Sequence, residues 1–141
     1  LYELIKSMVG SRPIRVIHGK SREVIAASKT VLVASGTAAL ESVLTGRPTV
    51  AAYKMNPWTY HLIKNKVQTE YVTLPNILAN RALIPELIQE KASVDSIVNV
   101  ILPMLEESPA NQFLTEAQKI YDSLAGDVSG RAAEAILEHL S

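Results

Sequence analysis

The sequence predicts an α/β fold, a Rossmann-like parallel sheet with flanking helices plus a helical C-terminal tail. Three observations carry that reading. Short apolar runs rich in β-branched residues recur at 14–17, 30–34 and 48–53, which is how parallel strands buried on both faces read. A segment of helical character separates each run from the next, and alternation at that spacing favours an open sheet with crossover helices and ligands at the carboxyl ends of the strands. The last fifty or so residues carry helical patterns only.

The elements follow in order. The opening Leu1-Tyr-Glu-Leu-Ile-Lys6 has helical spacing with no cap or leader before it, so the chain reads as a piece of something longer. A first strand is expected over 14–17. Residues 21–28 form a short helix with Ser21 as N-cap and Glu23 in its first turn, and 30–34 form the second strand. Residues 36–45 form a helix stopped by Gly46 and Pro48, and 48–53 the third strand. Asn56-Pro57 starts a helix through about Lys66, and 71–74 form a fourth strand ending at Pro75-Asn76. Residues 85–89, 93–107, 109–124 and 129–140 read as successive helices, with Ser93, Ser108 and Ser129 as N-caps and Gly126 as a stop. A boundary is expected near 107–109, dividing a Rossmann-like domain at 1–107 from a helical extension at 108–141.

With 141 residues, 48% of them hydrophobic, the chain suits one globular core better than two. It has no cysteine, which removes disulfides and thiolate chemistry. Its three histidines, at 18, 61 and 139, have no metal-site spacing, and no metal or cofactor is expected. No apolar run approaches the length of a membrane span, so a cytoplasmic protein is expected. The net charge is zero, yet residues 1–84 hold eleven Lys/Arg against four Asp/Glu, and residues 85–141 hold three against ten. Such asymmetry fits a face turned toward anionic groups, and equally two solvated faces of opposite sign.

The strongest local signal is Val31-Leu-Val-Ala-Ser-Gly-Thr-Ala-Ala-Leu-Glu41, a buried strand running into a small-residue turn and then a helix. Ser35, Gly36 and Thr37 leave room for a phosphate to approach the backbone, and the helix start supplies unpaired N–H donors and partial positive charge. Glu41, four residues beyond Thr37, shares its helix face and suits a ribose diol. The same residues also fit a plain serine cap followed by a surface carboxylate. His18 and Gly19 hold the equivalent position after the first run; they border the same crevice, where backbone groups read a base edge, or form an ordinary loop. Glu86 and Glu90 fall one helical turn apart with Gln89 beside Glu90, an arrangement that repels unless something cationic or hydroxylated is shared, or that is simply a solvated acidic face. Between Lys54 and Lys66 lie Trp58, Tyr60, Leu62 and Lys64 without a single acid. Aromatic and basic groups together suit a lipid headgroup region, although a tryptophan packed on its own domain is the commoner use. Overall neutrality and the lack of a nucleic-acid module argue against nucleic acid.

Four blocks in order carry a resemblance. They are Ala34-Ser-Gly-Thr-Ala-Ala-Leu-Glu41, Tyr53-x-Met55-x-Pro57-x-Thr59, Tyr71-Val-x-Leu74-Pro75-Asn76-x-Leu78-Ala79-x-Arg81, and Pro85-Glu-Leu-Ile-Gln89-Glu90. Together, over roughly residues 14–107, they resemble the lipid-A-disaccharide synthase family. The resemblance implies the C-terminal donor-binding half of a two-Rossmann-domain (GT-B) glycosyltransferase. It implies metal-independent, inverting transfer of 2,3-diacylglucosamine from UDP-2,3-diacylglucosamine to 2,3-diacylglucosamine 1-phosphate, in lipid A biosynthesis at the inner membrane of a Gram-negative bacterium. Ser35, Gly36 and Thr37 would face the diphosphate, Glu41 the ribose, Asn76 and Arg81 the reaction cleft, and Gln89 with Glu90 the donor side.

The resemblance also implies that the catalytic base belongs to an N-terminal domain, so this chain alone should bind UDP weakly and turn over nothing. The acyl substrates would explain peripheral membrane contact through Lys54, Trp58, Tyr60, Leu62 and Lys64. In the last helix, Ile136, Leu137 and Leu140 would be exposed or paired with a second copy as a homodimer. Two other readings share the fold: another UDP-sugar enzyme, such as a UDP-N-acetylglucosamine epimerase, and a non-enzymatic nucleotide-binding or interaction module.

Overall fold

A computed structural model describes residues 2–34, 36–56, 70–126 and 128–140. The elements run α1 (Tyr2–Val9), α2 (Ser21–Ala27), β1 (Val31–Val33), α3 (Thr37–Leu44), β2 (Thr49–Tyr53), α4 (Leu74–Ala79), β3 (Glu86–Ile88), a 3-10 turn (Gln89–Lys91), α5 (Val94–Glu106), α6 (Asn111–Leu124) and α7 (Val128–Leu140). The sheet has the order β1-β2-β3 and both pairings are parallel. The expected α/β architecture is therefore present, and the strands expected at 30–34 and 48–53 are β1 and β2. Val33 pairs with Ala51, and Tyr53 with Ile88. All three strands consequently release their chains at one edge, with β1 two residues short of the others.

The core lies mainly on one face. Ala39 and Val43 of α3, Ala51 of β2, Ile84, and Ala117 and Ile120 of α6 form one buried cluster, flanked by Val33, Leu40, Leu83 and Phe113. Val50 alternates to the other face, where α5 contacts β2, and is fully buried there. Thr30 Oγ1 donates to the Met104 carbonyl at 3.0 Å, tying α5 to the entrance of β1. Packing continues across residues 107–108, because α6 supplies part of the same core as α3.

Several element assignments are corrected. Residues 14–17 join no strand, and Ile14 and Ile17 are exposed; β-branched composition supplies propensity but not a pairing partner. Residues 71–74 are not a strand: Thr73 is the N-cap of α4 and Pro75 lies in its first turn, where a missing N–H costs the helix nothing. The segment expected as a helix over 85–89 instead forms β3, because Ala51–Tyr53 offers a parallel ladder to Glu86–Ile88. Ser21 is the first residue of α2 rather than its cap, Lys20 holding that position. The cap of α6 is Ala110 rather than Ser108, and Ser129 lies inside α7. Ser93 does cap α5, accepting from the Ser96 N–H at 3.2 Å. The helix expected from Asn56-Pro57 through Lys66 falls almost wholly outside the described residues. Ile136 and Leu137 of α7 are exposed in the single chain.

Candidate functional site

At the carboxyl edge of the sheet the turn after β1 is made by a glycine that no other residue replaces easily. Gly36 has φ 108° and ψ −154°, a region essentially restricted to glycine. It is the last of the three residues between the end of β1 and the start of α3, and the N-cap of that helix. No heavy atom lies within 4 Å of where a Cβ would stand on Gly36, so backbone conformation, not crowding, demands the glycine. Gly36 and Thr37 are exposed, and among the described residues no side chain caps α3. The first amides of α3 therefore open outward with the partial positive charge of the helix start behind them. Ser35 lies outside the described residues.

Glu41, one turn along α3, is partly exposed and faces Arg22 of α2 across a loose 3.9 Å ion pair, with Arg22 itself 84% exposed. Gly19 keeps a left-handed φ of 73° in the loop entering α2. His18 is exposed and meets Tyr2 edge-to-face with ring centroids 5.6 Å apart. Since 14–17 joins no strand, the sheet does not carry His18 and Gly19 to the edge in the way it carries Gly36. Arg22, on the helix they introduce, reaches the α3 face through Glu41.

The other two strand ends meet one another. Lys54, Met55, Gln89 and Glu90 line a shallow depression where β2 and β3 release the chain. Gln89 is buried, with a left-handed φ of 55°. Its Oε1 accepts from the Met55 N–H at 2.8 Å and its Nε2 donates to the Met55 carbonyl at 3.1 Å. The side-chain amide thus pairs with Met55 as a neighbouring strand would. Lys54 and Glu90 are exposed beside it. Trp58, Tyr60, Leu62 and Lys64 lie outside the described residues.

Asn76 is buried with every hydrogen-bonding position used. Its Oδ1 accepts from Leu83 N and Ile84 N, both at 2.8 Å, and its Nδ2 donates to Ile84 O and Glu86 Oε1, both at 2.9 Å. An amide offers two donors and two acceptor lone pairs, so Asn76 holds α4 to the entrance of β3 and has nothing left for a ligand. Arg81 stands in the loop that enters β3 at its amino end, on the side of α6. There a hydrogen bond from Lys119 holds the Glu116 carboxyl below its ordinary range against partial desolvation, with smaller help from the charges of Lys119 and Arg81. The structure therefore brings Gly36, Thr37, Lys54, Gln89 and Glu90 to one edge, and sets Asn76 behind it and Arg81 away from it.

Sequence reasoning missed the part played by Glu86. Its carboxylate accepts from Val72 N, Thr73 N at 2.8 Å, Thr73 Oγ1 at 2.7 Å and Asn76 Nδ2. From a neighbouring strand it does for α4 what the glutamate of a capping box does locally. The only sequence signal was a glutamate following Thr73 and Asn76 by 13 and 10 residues, which no local rule connects.

Comparisons with known proteins place the chain in a family. Residues 6–139 match the family model described as lipid-A-disaccharide synthetase. The chain is 41% identical over 138 residues to the lipid-A-disaccharide synthase of Azotobacter vinelandii, covering 98% of this chain and 36% of the relative. It is 43% identical over 127 residues to lipid-A-disaccharide synthase 2 of Legionella pneumophila, covering 90% and 33%, and 41% identical over 125 residues to the synthase of Pseudomonas putida, covering 89% and 33%. The chain spans about a third of the length of these curated relatives.

Proposed function

Because this chain belongs to the lipid-A-disaccharide synthetase family, we propose that it forms the donor-nucleotide part of an inverting glycosyltransferase of lipid A biosynthesis. In that reaction an acceptor hydroxyl of 2,3-diacylglucosamine 1-phosphate attacks the anomeric carbon of UDP-2,3-diacylglucosamine. The bond from that carbon to the diphosphate breaks, a β-linked disaccharide forms and UDP leaves. The observation that carries the reading is the open, glycine-turned start of α3 at the ligand-accepting edge of the sheet. Charge grows on the diphosphate as it departs, and fixed backbone amides stabilise that charge without reorganising.

In this reading Ser35, Gly36 and Thr37 face the diphosphate, Glu41 takes the ribose hydroxyls by exchanging its loose pair with Arg22, and Glu90 faces the sugar. His18 and Gly19 approach the base by way of α2. Asn76 acts as a positioning residue, and Arg81 serves the fold near α6. The acceptor site and the base that activates its hydroxyl are assigned to sequence beyond this chain, which by itself turns over nothing. No helix among the described residues is long and apolar enough to cross a membrane. Contact with the inner membrane is assigned to the aromatic and basic run between Lys54 and Lys64, and a second copy or further domain to the exposed Ile136 and Leu137 of α7.

The test is a UDP titration followed amide by amide. The expected result is saturable shifts at Gly36 and Thr37, with Glu41→Ala weakening binding by about 1–3 kcal/mol, the range for a hydrogen-bonded charged group. Shifts confined to other parts of the chain, or an unchanged affinity in Glu41→Ala, would remove the α3 edge from the site.

A further inference from the structure

Within the nucleotide reading, on which this step rests, we infer that Gln89 is a positioning residue for the donor, acting through the backbone of Met55 to hold Lys54 at the anion-facing edge. Beyond Tyr53 the chain has left the β2–β3 ladder, whose last pair is Tyr53 with Ile88. The next two residues would otherwise have no fixed place on the edge. Gln89 extends the ladder by one rung with its side chain: both Met55 main-chain groups are bound by one amide, at 2.8 and 3.1 Å. Lys54 is thereby held between two fixed points, the last strand pair and that rung. It is exposed, and no ion pair or hydrogen bond engages its ammonium among the described residues.

The backbone of Gln89 shows that the rung is not a by-product of strand geometry. A residue following Ile88 in regular β conformation would send its side chain to the opposite face from Ile88. Gln89 instead adopts φ 55°, a conformation that costs a non-glycine residue free energy and persists only where its surroundings impose it. The side chain is buried by this turn, and the two bonds to Met55 are what it gains. Glu90, next in the chain, is placed on the same depression as Lys54. One strained residue thus sets a cation and a carboxylate beside each other at the strand ends, the cation for a phosphate and the carboxylate for hydroxyl groups.

The experiment is a double-mutant cycle read by UDP affinity, with amide exchange at Met55 as an independent reading of the rung. Gln89→Leu, which keeps the bulk and removes both bonds, is expected to weaken UDP binding roughly tenfold and to release the Met55 amide to exchange. Lys54→Ala is expected to weaken it similarly, and the double substitution to be no weaker than Lys54→Ala alone, since one acts through the other. Gln89→Gly guards against an effect of strain alone: it relieves the left-handed backbone while deleting the rung, so the chain should still fold and bind UDP less tightly. Additive losses in the cycle, or full affinity in Gln89→Gly, would overturn the assignment. If the unsubstituted chain shows no UDP-dependent shift at Gly36 and Thr37, the nucleotide reading fails. A Met55 amide that then exchanges freely in the unsubstituted chain would overturn the rung as well.

Discussion

Two helices begin on the same side of this small sheet, and their amino ends are treated in opposite ways. That of α4 is filled from within the chain. Pro75 removes one N–H, and the Glu86 carboxylate takes the backbone amides of Val72 and Thr73 together with the Thr73 hydroxyl and the Asn76 side-chain amide. That of α3 is open among the described residues: its cap is a glycine with no side chain to offer, no side chain caps it, and nothing lies within 4 Å of where a Cβ would stand on Gly36. The unpaired donors at a helix start need an acceptor from somewhere. In α4 the fold supplies it, and in α3 it is left to solvent or to a ligand. In the proposed reading the carboxylate seated at the α4 end leaves the α3 end to the anion, so the choice is a property of β3 as much as of α3.

The largest effect is expected where the filled end is emptied. Glu86→Ala leaves four donor groups without their shared acceptor, one of them on the buried Asn76, and should destabilise the chain by about 3 kcal/mol in a urea titration, given about 1–3 kcal/mol for each poorly replaced partner of a charged group. A loss below about 1 kcal/mol would mean that water caps α4 as well as Glu86 does, and the contrast between the two ends would disappear.

Substitution at the open end should act on the backbone and not on hydrogen bonding. Gly36→Ala meets no steric neighbour, yet φ 108° with ψ −154° lies in a region that residues with a Cβ scarcely enter, at a cost of about 1–3 kcal/mol. The expected outcome is a loss of about 2 kcal/mol in the same titration, accompanied by loss of the UDP-dependent shift at Thr37. A variant as stable as the parent that still binds UDP would show that the turn tolerates other conformations and that glycine is not what holds the mouth open.

The two ends also differ in how far the sequence reveals them. The α3 end was legible because everything that makes it is local: a strand, three small residues and a helix start within ten positions. β1, β2, the stop at Gly46 and the Ser93 cap were legible for the same reason. The α4 end was not. Tyr71 to Leu74 carries strand-like composition, and only Pro75 hints that a helix has begun. Residues 85–89 read as a helix because proline commonly opens one and Glu86 and Glu90 have helical spacing. What overrules them is the ladder to Ala51–Tyr53, a long-range pairing that outweighs local propensity. With β3 misread as a helix, Glu86 and Gln89 were read as facing solvent or the donor, without partners inside the chain. Their real partners, Thr73 and Met55, lie 13 and 34 residues earlier. Asn76 was legible as important but not as spent, since a buried amide with four partners and an exposed one awaiting a ligand look alike in a sequence.

The smallest effect is expected at the one contact that touches the open end from outside. Arg22 approaches Glu41 at 3.9 Å with most of its side chain in solvent, and exposed pairs of this kind are worth between nothing and about 1 kcal/mol. Arg22→Ala should therefore leave unfolding within about 0.5 kcal/mol of the parent. Its effect on UDP is the sharper reading. If Glu41 is held loosely so that a ribose diol displaces Arg22, removing the arginine frees the carboxylate beforehand and affinity should hold or rise slightly. If Arg22 itself reaches the nucleotide, affinity should fall, more steeply at low salt, where the Debye length is longer and an exposed cation acts over a greater distance. Measuring the variant at two ionic strengths separates these outcomes, and the second would extend the open end from the α3 backbone onto α2.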